Sequence, residues 1–240
     1  MKELMVPYKI KKTIENFVQK IKDLYRDELV SIILYGSAAS GEFVGRHSNL
    51  NILVILKNTD LDNLRRVSKV INKFKMINPL FLTEGYIESS TDIFPIEFLD
   101  IKENYSLLYG KDVLKDIHIE TRNLRFQCEQ ELKAKLINLR QLYLKLCRNK
   151  IALRNLLFKS FTSILHILRN VLRLKGKEPP YLKQDILRGL AAEFQIDLNA
   201  WEKILFAKNQ GLKLSYKDTQ DLFVNFVREL EKIVDSVDKL

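Results

Sequence analysis

The chain has 240 residues, of which 46% are hydrophobic and 29% charged. These are globular values, with enough apolar material for one large domain or two small ones. No run approaches the ~18 consecutive apolar residues of a membrane-crossing helix. The net charge of +10 is unevenly placed: residues 1–118 hold 17 Lys/Arg and 16 Asp/Glu, whereas residues 119–240 hold 23 and 14. An anionic partner would therefore be met by the second half. Its basic residues are dispersed along several helices, without a dense arginine run. Residues 1–12 contain no apolar signal region. Cys128 and Cys147 lack metal-ligand spacing and read as reduced thiols of a cytoplasmic protein.

In chain order, residues 8–27 place Ile10, Ile14, Phe17, Ile21 and Leu24 at helical spacing behind Pro7. Val30–Tyr35 is a short β-branched run that fits a buried strand. Asn49–Leu56 is the second such run. Leu61–Ile77 reads as an amphipathic helix that Pro79 ends. Two further extended segments are expected, at Pro79–Thr83 and Phe94–Ile101. A turn at Gly110-Lys111-Asp112 closes the first half.

From about residue 119 the pattern changes to long helices. Leu132, Leu136, Leu139, Leu142 and Leu146 form one stripe. Ile151–Lys175 is apolar nearly all round and is expected at the centre of a bundle. Gly176 and Pro179-Pro180 stop it. Shorter helices are predicted at 182–195 and 200–209. Ser215-Tyr216-Lys217-Asp218 is a capping box that opens the last helix. The alternation of helix and strand, followed by helices alone, predicts an α/β (α+β) domain at 1–118 and an all-α bundle at 119–240.

The residues that could carry chemistry lie between the first two strands. A turn at Gly36-Ser37 can offer backbone N–H groups to an anion, with the Ser37 hydroxyl as a further donor. Ser48 precedes Asn49 and Asn51, whose side chains, two apart, point to one face of the second strand. Glu97 stands between bulky apolar residues of the expected fourth strand, with Asp100 as the alternative carboxylate. His47 reads as a loop residue and His166 as a satisfied core histidine. No serine-histidine-aspartate order, Walker loop or dinucleotide fingerprint is present.

The succession of strand, Gly36-Ser37, loop, Ser48-Asn49-Leu50-Asn51 and second strand resembles the signature of the nucleotidyltransferase superfamily, the fold of DNA polymerase beta. The layout resembles that of kanamycin nucleotidyltransferase, with a small mixed sheet flanked by helices and a following helical bundle for substrate or partner. The resemblance implies transfer of a nucleoside monophosphate from an NTP to a hydroxyl acceptor. By resemblance Gly36 and Ser37 hold phosphates, Ser48, Asn49 and Asn51 line the nucleotide site, and Asn49, Asn51 and Glu97 occupy metal-ligand positions. Glu97 would also serve catalysis. The family has aspartates where this chain has Asn49 and Asn51. A carboxamide offers a neutral oxygen where Mg2+ favours carboxylate.

Three functions follow as expectations. One is a nucleotidyltransferase with a weakened metal site, acting on a small-molecule or protein acceptor. Another is a pseudoenzyme, a non-catalytic module that binds nucleotide or another protein. The third is nucleic-acid binding by the basic helical half. No membrane partner is expected, and a homodimer is left open.

Overall fold

The computed structural model describes residues 6–40 and 49–240, which divide into two compact units, 1–119 and 120–240. In the first unit, helix α1 (Tyr8–Tyr25) buries Ile10, Ile14, Phe17, Ile21 and Tyr25 along one face. Strand β1 (Leu29–Tyr35) follows, then the single-turn helix α2 (Ser37–Ser40). Strand β2 is Leu50–Leu56 and helix α3 is Leu61–Ile71. The Asp60 carboxylate starts α3 by accepting the Asn63 N–H at 2.8 Å.

Strand β3 is Ile77–Leu82, helix α4 is Glu84–Ser90, helix α5 is Pro95–Glu103 and strand β4 is Tyr105–Gly110. The four strands form one mixed sheet in the order β3-β2-β1-β4. β1 runs antiparallel to β2 and β4, and β2 runs parallel to β3. Both faces are covered, so the central strands read as continuous apolar runs. Ile32, Leu34, Ile52 and Val54 share a core with Phe17, Ile21 and Val67 of α1 and α3. Ile33, Leu53 and Ile55 point the other way, to Ile87, Phe98, Ile101 and Leu114.

Two expectations fail here. Phe94–Ile101 is not a strand: it is the start of α5, with Pro95 in the first turn, where a missing N–H costs nothing. The apolar positions of this short segment fit both periods, and burial of Pro95, Ile96, Phe98 and Ile101 follows the helical one. The fourth strand is instead Tyr105–Gly110. Similarly, α3 ends at Ile71, and Ile77, expected at the end of a helix, opens β3. Pro79 sits inside β3, an edge strand, where an imino nitrogen leaves no ladder bond unmade on the free side.

The second unit consists of α6 (Thr121–Leu146), α7 (Lys150–Leu174), α8 (Lys183–Phe194), α9 (Asn199–Asn209) and α10 (Tyr216–Val237). Phe161, Trp201 and Phe226 form a buried aromatic triangle with ring centroids 4.8 to 5.9 Å apart. Ser215 caps α10 by accepting the Asp218 N–H at 3.0 Å. By length and composition α7 is the one described helix able to cross a membrane, with a mean hydropathy of 1.2 over its most apolar window. Within this unit its Leu153, Leu157, Phe161, Ile164 and Leu168 are core residues, beside buried Arg169 and Asn170. His166 is exposed on α7 and is not the core histidine expected.

Candidate functional site

β1 ends in Gly36, whose φ of +74° lies in the left-handed region that glycine enters without strain. The Gly36 N–H is not free: it donates to the Asn104 carbonyl at 3.1 Å, at the entry to β4. The Gly36 carbonyl accepts the Ala39 N–H at 2.8 Å and so closes the turn that follows. A methyl group on Gly36 would stand 3.2 Å from Asn51 Nδ2. The Asn51 amide thus stands beside the glycine, where β1 ends and β2 begins.

The strand register extends this contact into a row. Tyr35 faces Asn51 on one side and Tyr105 on the other. Asn51 in turn faces Asn78 of β3. Residues opposite one another in a sheet share a face. Asn78, Asn51, Tyr35 and Tyr105 therefore cross all four strands, where the second core of the sheet gives way to polar groups. Asn78 Nδ2 donates to Asn51 Oδ1 at 3.3 Å.

At the β4 end, the Tyr105 hydroxyl donates to both carboxylate oxygens of Asp112, at 2.9 and 3.0 Å. Burial, this hydrogen bond and the negative charges of Asp112 and Asp116 push the Tyr105 pKa up to about 12. Burial alone raises that of Tyr35.

The structure brings Gly36 and Asn51 together among the residues singled out from the sequence. Asn49 is exposed immediately before β2. The Ser37 side chain and Ser48, with Gly41 and His47, lie outside the described residues. Glu97 is in the first turn of α5 and exposed, so the expectation of a strand carboxylate wedged between apolar groups is corrected. It lies ~10 Å along the helix from Asn104, which touches Gly36. Asp100 is half-buried on the same helix.

Asn78, Tyr35 and Tyr105 carry no motif of their own in the sequence. A signal for Asn78 existed in the apolar run from Ile77 to Leu82, which is interrupted only by Asn78 and Pro79.

The mixed sheet, the Gly36 turn and the paired strand-end positions define the nucleotidyltransferase fold. No family model matches the chain. It is 33% identical over 107 residues to the "putative protein adenylyltransferase" of Methanocaldococcus jannaschii, covering 41% of this chain and 71% of that protein. It also shares its fold with the spectinomycin adenyltransferase of Enterococcus faecialis, solved with ATP and spectinomycin. That likeness has a TM-score of 0.61 at 14% identity, over 94% of this chain and 99% of the other. The chain belongs to the nucleotidyltransferase superfamily.

Magnesium, which the superfamily's chemistry implies, prefers a near-octahedral shell of hard, preferably anionic oxygens. Among the described residues no three His, Cys, Asp or Glu side chains converge to hold a metal ion. The Asn51 and Asn78 pair supplies neutral amides instead. Among the described residues this donor set does not fit a magnesium site.

Proposed function

We propose that this protein is a nucleotide-binding member of the superfamily that carries out little or no nucleotidyl transfer. The observation behind this reading is the Asn51 and Asn78 pair beside the Gly36 turn. The turn geometry suits the approach of a phosphate to the backbone, since glycine leaves no side chain in the way. The amides supply no negative charge for a catalytic cation. Each ~1.4 kcal/mol of lost transition-state stabilisation slows a reaction tenfold.

ATP is the nucleotide we propose, because the archaeal relative is named an adenylyltransferase and the structural neighbour was solved with ATP. A residual acceptor would be a small molecule, as spectinomycin is for that neighbour, or a protein, as the archaeal relative's name says. Calorimetric titration of ATP in magnesium buffer, paired with a pyrophosphate-release assay, tests the reading. Binding without pyrophosphate release is expected. Brisk magnesium-dependent release would overturn it.

A second reading rests on charge. Residues 119–240 hold 23 basic and 14 acidic residues, which favours an anionic macromolecule, such as a nucleic acid, on the helical unit. Affinity of that kind would fall steeply with added salt.

A further inference from the structure

We infer that the Asn51 amide, oriented by Asn78, holds the phosphates of a nucleotide directly, without a metal ion between protein and ligand. The inference rests on the nucleotide-binding reading and adds the mode of binding.

It starts from the direction of the two amides. Asn78 Nδ2 donates to Asn51 Oδ1, so the Asn51 acceptor oxygen is engaged within the pair. The other end of that carboxamide, Nδ2, lies against Gly36. The Asn51 group on the turn side is therefore a hydrogen-bond donor. A divalent cation needs an oxygen there, whereas a phosphate oxygen needs an N–H.

Charge points the same way. Two carboxylates at these positions would repel a polyphosphate unless a cation stood between them. Two carboxamides do not, so no cation is required to offset repulsion. The Gly36 carbonyl accepts the Ala39 N–H, which turns that oxygen into the backbone turn.

The ligand class that matches these features is a nucleoside polyphosphate free of magnesium, held by N–H donors. The superfamily's usual arrangement, a polyphosphate bridged to carboxylates through a cation, has no matching donor set among the described residues.

The test is calorimetric titration of ATP into the wild-type chain and into Asn51→Asp and Asn78→Asp, each with magnesium and with EDTA. Asn78 is exposed at a sheet edge, so that variant keeps the fold even if the Asn51 change loosens it. Thermal unfolding of both variants checks this. For the wild type, the affinities with magnesium and EDTA should agree within about twofold. In EDTA Asn51→Asp should lose about tenfold or more, because a donor to a charged oxygen is replaced by a like charge, and Asn78→Asp should also lose affinity, because it removes the N–H that holds the Asn51 oxygen. Inorganic tripolyphosphate should compete with ATP.

Wild-type binding that requires magnesium overturns the inference and leaves the nucleotide-binding reading intact. So does undiminished ATP binding by both variants in EDTA. No ATP binding in either buffer overturns both.

Discussion

Gly36 stands beside the Asn51 amide: a Cβ at position 36 would sit 3.2 Å from Asn51 Nδ2, close enough that the amide would have to give by a few tenths of an ångström, on a backbone with φ of +74°. Gly36→Ala therefore combines left-handed strain with displacement of the amide. It should cost about 1–2 kcal/mol of stability and weaken ATP binding. Urea denaturation and calorimetry on the same preparation read the two effects.

Gly110 is more tightly confined. Its φ is +81°, and an added Cβ would lie 2.0 Å from the Val30 carbonyl oxygen, inside the β1 and β4 ladder. Gly110→Ala should cost more than Gly36→Ala, at about 3 kcal/mol, since strain and overpacking add. The urea midpoints of the two variants, compared directly, check this order.

Tyr105 gives the stability a signature at high pH. Its pKa is raised to about 12 in the folded protein from the ordinary value of 10.0. The folded state thus keeps a proton that the unfolded state releases, and stability falls as pH rises. The contribution is fully present below pH 10.0 and is lost as pH climbs through about 12. Tyr25 and Tyr35 are shifted the same way, so the informative quantity is the difference from Tyr105→Phe. Between those limits the wild type should lose stability faster than the variant. Chemical denaturation at a series of pH values measures it.

In the helical unit, the Trp201 indole N–H is buried without a hydrogen-bond partner among the described residues. Trp201→Phe removes that desolvated donor while keeping a ring against Phe161 and Phe226. It should cost clearly less than Phe226→Ala, for which the loss of a core aromatic predicts about 3–5 kcal/mol. Thermal and urea unfolding of the two variants give the comparison.

The sequence was most legible where one signal sufficed. Two apolar runs joined through Gly36 marked the central strands, and the Ser215 box marked the start of α10. It was misleading at Phe94–Ile101, where apolar positions fit both periods and the packing of α5 against Ile33 and Leu53 decides. It was silent on Asn78, because strand register is a relationship between distant segments. Nothing local to Ile77-Asn78-Pro79 says which residue of β2 it will face, and Pro79, read as the helix stop and the first residue of the extended segment, hid the two strand residues before it. Glu97 stood out as a carboxylate among apolar neighbours in a strand. In a helix that same spacing turns it out to solvent.

With α1 and α3 on one side of the sheet and α4 and α5 on the other, its working surface is a rim. Residues of that rim, such as Asn51 and Asn78, belong to neither apolar core. Asparagine and aspartate codons differ by a single base, so a charged rim and a neutral rim are neighbours in genetic space, one substitution apart at each position.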